Sequence, residues 1–387
     1  MQLFGDEEKA RIRVSHTKKA LIILAVGLVF LFILSLIFCV SVVHERMSLP
    51  YVLNMASSRL QDIFLYLSGQ GARDGIHYRI NTYLLVACIG AGLATCGTVY
   101  QGLFRNAIAS PTTLGVNSGG MLGGILYVLL FVKVSGPVQV VQFDQYMAQY
   151  NMMSLFDRNI RQIFIIAGSL LAVTLIVSIA KAAGRGRVTS FVLMIAGTVF
   201  SSVIGTVVGL VQNYLVLTDG EDMSRIQELG RLMRGSFDQL YSYQHLWLAG
   251  VPIVVCLAVL MLLRPHMNAL VFGEDEAQTM GVRTGLLKNL LIGISTLITA
   301  VAIAFCGQIG LVGLIVPHLA RRVVGPDYKS LIPASILLGA AVFLVIYDVA
   351  FMFNVLDGIN LITSIVGAPI VVFIMLRQRR ERQDEWF

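Results

Sequence analysis

Residues Ile89–Gly120 read IGAGLATCGTVYQGLFRNAIASPTTLGVNSGG, an apolar helical segment that stops in a polar turn and then starts again. Gly90 and Gly97 lie seven residues apart, about two helical turns, and therefore share one face. Glycines on one face let the backbone of another helix approach closely, which favours helix association in lipid. Ser110–Pro111 breaks the first helix, and Leu114–Gly115 restarts it. This stretch predicts packed membrane helices.

The composition of the chain indicates the same class. Of its 387 residues, 56% are hydrophobic and 13% are charged, and the mean hydropathy is +0.78. A soluble domain carries about 25% charged residues. The apolar runs are long and continuous, whereas membrane β-barrels show short alternating segments. Because backbone groups in lipid must be paired internally, we predict an all-α integral membrane protein.

Ten apolar runs predict ten transmembrane helices. They lie at about residues 20–43, 80–100, 115–132, 162–180, 188–212, 244–263, 287–306, 311–325, 331–350 and 359–376. The eighth run is short and is interrupted by Pro317. We predict a polytopic bundle in which residues 20–376 form a single transmembrane domain. A basic tail (1–19) precedes it, and a second tail (377–387) follows it.

The distribution of positive charge predicts the orientation of the chain. An even number of spans places both termini on one side of the membrane. That side carries nineteen of the 29 lysines and arginines, and basic residues accumulate on the cytoplasmic side of membrane proteins. We therefore expect both termini to be cytoplasmic. The net charge of +7 is explained by these clusters at the ends of the spans, so no nucleic-acid partner is predicted.

The sequence contains no recognisable catalytic motif. It lacks the G-x-x-x-x-G-K-[ST] nucleotide-binding loop, HExxH and GxSxG, so ATP-driven work would have to come from another chain. None of the five cysteines forms a CxxC pair or a Cys/His cluster, and a zinc site is not supported. His318 stands without a second ligand nearby, and we interpret it as a structural hydrogen-bonding residue. We expect no cofactor on this chain.

An ion-coupled secondary transporter is the alternative from a different functional class. Such carriers usually place ionisable groups at membrane depth, and charged residues are nearly absent from the interiors of these spans. Asp348 comes closest. Counted at about 1.5 Å per residue from Ser330, it lies near the outer end of its helix, and we interpret it as a helix-end residue that meets water or a neighbouring donor. A membrane enzyme would need a nucleophile or metal cluster, and none is evident.

An acidic segment separates two long apolar runs. Residues Met267–Val282 read MNALVFGEDEAQTMGV. A solvated surface is the general interpretation of a charge run. Here Gly273 and Gly281 bracket one or two amphipathic turns, which favours a short rigid helix presented to a soluble partner. The residues expected on its apolar side are Leu270, Ala277 and Met280.

The fifth span carries small residues at every fourth position. Gly197, Ser201, Gly205 and Gly209 form one unbroken stripe. Helix packing is one interpretation. A translocation pathway lined by small and hydroxyl groups at a subunit interface is the other. The polar turn after Gln101 also has two interpretations, an ordinary cytoplasmic turn or a broken-helix element beside the pathway.

Taken in order, several of these stretches resemble the membrane permeases of the FecCD type. The family pattern GxxQxxxRNPLAxPxxLGxxxGA is matched at Gly97, Gln101, Arg105, Asn106, Ala109, Ser110, Pro111, Leu114, Gly115, Ser118 and Gly119. The family's coupling pattern LNxLxLGxxxAxxLG is matched at Asn268, Leu270, Gly273, Glu274, Ala277 and Gly281. GLVGLIVPHLARRVVG, at 310–325, is nearly verbatim for the family. The resemblance covers about residues 20–378.

The resemblance implies a subunit of a binding-protein-dependent (type II) ABC importer in a bacterial cell membrane. Two permeases, identical or related, would form a dimer around a central pathway. Two cytoplasmic ATPase subunits, which carry ATP and Mg²⁺, would bind the coupling segment at about 267–282. An extracellular binding protein would deliver the cargo. An iron–siderophore complex is the leading cargo, and haem or cobalamin is the alternative within this class.

Three sets of candidate residues follow. The residues expected to couple to the ATPase are Asn268, Leu270, Gly273, Glu274, Asp275, Glu276, Ala277 and Gly281. The residues expected in the pathway or in helix packing are Gly197, Ser201, Gly205, Gly209, Asn106, Ser110 and Pro111. The residues expected to dock the binding protein are Arg79, Arg231 and Arg234.

The chain departs from the family pattern at the docking positions. Only Arg79 remains of the RxPR sequence before the second span, and Met352 stands where relatives carry an arginine near the end of the ninth. In relatives, these arginines meet acidic residues of the binding protein. We hypothesise that Arg231 and Arg234 substitute for them.

Overall fold

The computed structural model describes residues 2–38, 57–58, 60–61, 75–132, 155–183, 190–218, 224–237, 243–353, 355–365, 367–370 and 372. The predicted tail 377–387 lies outside these residues. Within them the secondary structure is helical, with no β-strand. The helices are α1 (Gln2–Phe38), α2 (Gly75–Leu103), α3 (Val116–Phe131), α4 (Leu155–Ala183), α5 (Ser190–Thr218), α6 (Ser224–Arg234), α7 (Val251–Phe272), α8 (Glu274–Thr279), α9 (Thr284–Cys306), α10 (Val312–Val324), α11 (Tyr328–Met352) and α12 (Ile359–Ile370).

Seven helices in the described part of the chain are long and apolar enough to cross a membrane. They are α1, α2, α4, α5, α9, α11 and α7 together with the short helical turns before it. The other three predicted spans coincide with the shorter helices α3, α10 and α12. α10 has 13 residues and is therefore about 20 Å long, less than the roughly 30 Å of a bilayer core.

Pro317 lies inside α10 without ending it, so the predicted interruption of this helix is wrong. Proline has no N–H to donate to the carbonyl four residues earlier, which here belongs to Gly313. That carbonyl lies against Gly97 of α2, where a Cβ atom would overlap it. α2 and α10 can approach closely here because residue 97 has no side chain.

The described residues divide into two compact units. One unit comprises Met1–Ser110, Phe237–Ile298 and Gly310–Phe387, and the other comprises Pro111–Ser236 and Thr299–Ile309. Both are assembled from stretches that are distant in sequence. The single domain predicted for 20–376 stays a prediction.

In the first unit, α2 packs against α7, α10 and α11. Gly90 meets α11, where a Cβ atom would overlap Phe343 and the carbonyl of Gly339. The predicted close approach at Gly90 and Gly97 is therefore confirmed, with a different partner helix at each glycine. Membrane helices gain contact area through such close approach of their backbones.

In the second unit, α3 packs against α4, with α5 and α6 beside them. Gly123 of α3 lies against the carbonyl of Phe164, again without room for a Cβ atom. Beyond α6, Gly235 adopts φ +70°, and the N–H of Ser236 donates to the carbonyl of Cys306 at 2.8 Å. The end of α6 is thereby joined to the end of α9.

The glycine contact between α2 and α10 gives a stability prediction. Gly97→Ala should destabilise the chain by about 1–3 kcal/mol, because the new methyl group meets backbone atoms that cannot move aside. Gly293→Ala is the matched control, since no atom of the described residues lies within 4 Å of a Cβ at this exposed position in α9. The measurement is the thermal midpoint of the detergent-solubilised chain by size-exclusion chromatography. Equal midpoints for the two variants would contradict the packing of α2 on α10.

Candidate functional site

The acidic segment forms a tight corner between two long helices. α7 ends at Phe272, and Gly273 turns the chain with φ +137° into the six-residue helix α8. Gly281, with φ +84°, closes the corner, and the N–H of Val282 donates to the carbonyl of Ala277 at 3.0 Å. Both glycines have backbone angles that other residues rarely adopt. The predicted short helix between two glycines is confirmed.

The two faces of the corner differ from the prediction at one residue. Leu270 and Ala277 are buried, as expected. Met280 is 59% exposed, so its assignment to the apolar side is wrong. It follows the last residue of α8, and Gly281 then redirects the chain. Phe272, on the other side of α8, is 69% exposed. Apolar side chains therefore flank the acidic helix on its accessible surface.

The three acidic residues are all exposed and lie in the first turn of α8, where negative charge interacts favourably with the helix dipole. Glu274 forms an ion pair with Lys288 of α9. Lys288 is 19% exposed and Glu274 is 58% exposed. The more buried lysine of α9 therefore stabilises the acidic turn through this ion pair. Asp275 and Glu276 complete the accessible acidic surface.

Asn268 lies one turn before the corner and makes contacts within the chain. Its amide Nδ2 donates to Asp327 Oδ1 at 2.7 Å, and its Oδ1 accepts from the N–H of Tyr328 at 2.9 Å. Asp327 is the N-cap of α11 and also accepts from the N–H of Lys329. Asn268 therefore ties α7 to the first turn of α11, and a role in ATPase coupling stays a prediction.

Arg105 reaches the same corner, which the sequence did not predict. It lies in the polar turn after α2, and its Nη2 donates to the carbonyls of Leu270 at 3.1 Å and Val271 at 3.2 Å. The last carbonyls of a helix have no partner within the helix, and a cationic side chain there is stabilising. The sequence places Arg105 in a polar turn and matches it to the family pattern, and neither signal indicates a partner 165 residues away.

The end of α2 is also bonded to α10. Gln101 Oε1 accepts from Arg321, and Gln101 Nε2 donates to the carbonyl of Leu314 at 3.2 Å. His318 Nδ1 lies 3.2 Å from the same carbonyl. The interpretation of His318 as a structural hydrogen-bonding residue is confirmed. In the part of the chain that the structure describes, no three His, Cys, Asp or Glu side chains are grouped as metal ligands.

The small-residue stripe of α5 has two different halves. Gly197 is buried, and Ser201 shares a hydrogen bond of 2.8 Å with Ser118 of α3. No atom of the described residues lies within 4 Å of a Cβ at Gly205 or Gly209. The first half therefore packs within the unit, and the glycines of the second half contact none of the described residues.

The remaining predicted pathway residues lie in and after the polar turn that follows α2. Asn106 Oδ1 accepts from the N–H of Ile108 at 3.0 Å and closes a tight turn, a common use of asparagine. Ser110 is buried. Pro111 begins the single helical turn Pro111–Leu114. These contacts are those of a structured turn, and a role in the pathway stays a prediction.

The three predicted docking arginines have different surroundings. Arg79, at the start of α2, lies over the ring of Phe351 at 5.5 Å. Arg231 and Arg234 are exposed on α6. An ion pair of 2.8 Å between Arg161 of α4 and Glu228 holds α6 in place.

Asp348 is bonded to neighbouring helices. It accepts from Ser35 Oγ of α1 and from the hydroxyl of Tyr83 of α2, the latter at 3.0 Å. The interpretation of Asp348 as a residue that meets neighbouring donors is confirmed. Its oxygens are engaged in joining three helices.

Comparison with known proteins gives a consistent result. A model of the FecCD transport family matches residues 27–377. The cobalamin import system permease protein of Halobacterium salinarum is 33% identical over 306 residues, which cover 79% of this chain and 73% of the relative. The molybdate import system permease protein of Haemophilus influenzae is 29% identical over 308 residues, which cover 79% of this chain and 82% of the relative.

A solved structure is similar over almost the whole length of the chain. It is assigned to the metal-chelate type of ABC transporters and has an inward-facing conformation. The match covers 93% of this chain and 99% of the other, with a TM-score of 0.68 and 26% identity. This similarity confirms the predicted all-α fold of the type II importer permeases. The chain therefore belongs to the FecCD transport family, as the membrane-spanning permease subunit of an ABC importer whose ATPase is a separate subunit.

Proposed function

We propose that this chain translocates an iron–siderophore complex across the cell membrane as one half of a permease dimer. Two cytoplasmic ATPase subunits, which hold ATP and Mg²⁺, dock at α8, and an extracellular binding protein delivers the cargo. Both termini are cytoplasmic in this arrangement, and the chain itself binds no cofactor. The observation that carries the proposal is the exposed acidic helix α8, which lies between Gly273 and Gly281 at the end of α7.

The surface of α8 suits a protein partner with a complementary basic groove. Asp275 and Glu276 are exposed acids, and Phe272 and Met280 add exposed apolar area on either side. Protein interfaces combine apolar contacts with polar groups, and complementary charge contributes specificity and faster association. Only a few residues, among them Gly273 and Gly281, separate α8 from α7 and from α9. A movement of α8 would therefore act on both of these helices.

The second half of the small-residue stripe in α5, at Gly205 and Gly209, supports the proposal of a second permease subunit. Gly205 and Gly209 present backbone without side chains, and hydroxyl groups of Thr198 and Thr206 are bonded to carbonyls of the same helix. Such a face allows a helix of another subunit to approach closely. It can also line a wide pathway without binding the cargo tightly.

The cargo is proposed from the metal-chelate class of the similar structure and from the family resemblance. Cobalamin is a second candidate, because the Halobacterium permease at 33% identity is named for it. Few ionisable groups lie in the spans, and Asp348 is bonded within the chain. An ion-coupled carrier is therefore the less supported class.

The proposal is tested by uptake into proteoliposomes. The chain is purified from its own membranes, and the ATPase and binding protein that accompany it are identified by mass spectrometry and reconstituted with it. We expect ATP-dependent uptake of a ferric siderophore, with cobalamin, haem and molybdate as competitors. Preferred uptake of cobalamin would show that cobalamin, and not a ferric siderophore, is the cargo. Uptake by the chain alone under an ion gradient would reject the importer.

The docking of the ATPase on α8 predicts the effect of inverted charge. Glu274→Lys with Asp275→Lys should reduce uptake by at least about tenfold, because like charges facing each other across an interface cost several kcal/mol. Glu274→Gln is the matched control. It removes the ion pair with Lys288 without inverting charge, and a single ion pair whose carboxylate is 58% exposed contributes little to stability. Uptake by the double variant at the unsubstituted rate would contradict docking at α8.

The docking of the binding protein predicts an effect on the opposite side. Arg231→Glu with Arg234→Glu, and separately Arg79→Glu, should weaken the affinity of the binding protein by about tenfold and make it less sensitive to salt. Arg283→Glu, an exposed arginine on the predicted cytoplasmic side, is the control. The measurement is surface plasmon resonance with the permease in nanodiscs. Unchanged affinity in all the variants would reject these arginines as the docking residues.

A further inference from the structure

The contact of Arg105 with the end of α7 is not accounted for by docking of the ATPase itself. The guanidinium donates to the carbonyls of Leu270 and Val271, which belong to the last turn of α7. Gly273 and α8 follow at once. α8 is therefore separated by only two residues from the turn that Arg105 holds.

Arg105 holds this turn from a backbone conformation that is unfavourable for arginine. Its φ is +48°, a left-handed conformation that glycine adopts freely and other residues rarely adopt. Its N–H donates to the carbonyl of Gly102 at 3.2 Å, and the next N–H, of Asn106, donates to the backbone carbonyl of Gln101 at 3.1 Å. The turn is thus bonded directly to the last residues of α2. Strained residues of this kind persist where the surrounding structure fixes them, and they cluster at functional sites.

α2 is itself bonded to further helices within the same unit at this end. Gln101 is bonded to Arg321 and to the carbonyl of Leu314, both in α10. Gly102 lies against the hydroxyl of Tyr328, at the start of α11, where a Cβ atom would overlap it. The N–H of the same tyrosine is bonded to Asn268 of α7. A displacement of the α7 end is therefore passed to α2 and to the helices bonded to it.

We propose that Arg105 is a positioning residue that transmits movement of α8 to α2. It does so by holding the last turn of α7 to the end of α2 through two charge-assisted hydrogen bonds. This role rests on the proposed function, because it requires that the ATPase moves α8. Docking at α8 and transmission through Arg105 are separate steps, so the loss of Arg105 leaves ATPase binding intact and reduces the work obtained per ATP.

Four variants separate the guanidinium from the backbone. Arg105→Gly relieves the left-handed strain and removes the guanidinium, whereas Arg105→Ala keeps the strain and removes the guanidinium. Arg105→Lys keeps a cation that can donate to carbonyls but loses the planar guanidinium. Arg264→Ala is the control, because Arg264 also donates to carbonyls, of Met261 and Lys329, away from the corner at Gly273.

The first measurement is the amount of cargo taken up per ATP hydrolysed by the reconstituted complex. We expect the ratio to fall about tenfold in both Arg105→Gly and Arg105→Ala, within the range of coupling effects seen along contact networks. Arg105→Lys should retain part of it, Arg264→Ala should retain it, and the ATPase should still co-purify with every variant. A loss in Arg105→Ala that Arg105→Gly restores would overturn the proposal, because the backbone would then be responsible. An unchanged ratio, or loss of the ATPase from the Arg105 variants, would also overturn it.

A second measurement does not depend on transport. Amide hydrogen exchange of the full-length chain in detergent should become faster in peptides covering residues 271–279 when Arg105 is replaced by glycine. Unchanged exchange there would overturn the proposal whether or not the complex transports. If the unsubstituted complex shows no ATP-driven uptake, the proposed function fails, and faster exchange would still support the hold of Arg105 on α7.

Discussion

Helix ends leave backbone groups without partners, and this protein satisfies them with backbone N–H groups that follow the helices and with a small number of polar side chains. At the end of α7 the carbonyls of Leu270 and Val271 accept from Arg105. At the start of α11, Asp327 accepts from the N–H of Lys329, and Asn268 accepts from that of Tyr328. Leu270, Val271 and Asn268 lie in the last two turns of α7, which lead into α8. The polar residues that complete the helices therefore also hold the element that we propose as the ATPase docking site.

Glycine contacts complement the polar bonds within the first unit. The crossing of α2 and α10 at Gly97 depends on a missing side chain on one helix and on a carbonyl freed by Pro317 on the other. The crossing of α2 and α11 at Gly90 likewise depends on a missing side chain. Because there is little hydrophobic driving force between helices in lipid, close packing of this kind carries much of their association. The helices that are bonded to the end of α7 therefore also contact one another at these two crossings.

Much of the fold could be predicted from the sequence. Runs of apolar residues located the seven helices that are long enough to cross a membrane, because the length of such a run reflects the thickness of the bilayer, and they also located the shorter helices α3, α10 and α12. The short helix α8 was also predictable, since two glycines bracketed an acidic turn. Pro317 was misjudged, because a proline in the first turns of a helix removes one hydrogen bond that neighbouring helices can compensate. Met280 was misplaced, because its exposure depends on the turn at Gly281.

The contacts of Arg105 and Asn268 could not be predicted. Arg105 contacts a residue 165 positions away in the chain, and Asn268 contacts residues 59 and 60 positions away. The periodicity of the sequence carries no information about pairs so far apart. The cargo could not be predicted either, because the relatives are named for different cargoes.

The most direct test of the central claim is crosslinking from α8 in native membranes. Asp275→Cys carrying a photoactivatable crosslinker should yield an adduct with the ATPase subunit that the unsubstituted chain, with its own cysteines, does not give. An Asp275→Cys chain that assembles and transports but gives no such adduct would contradict α8 as the docking element.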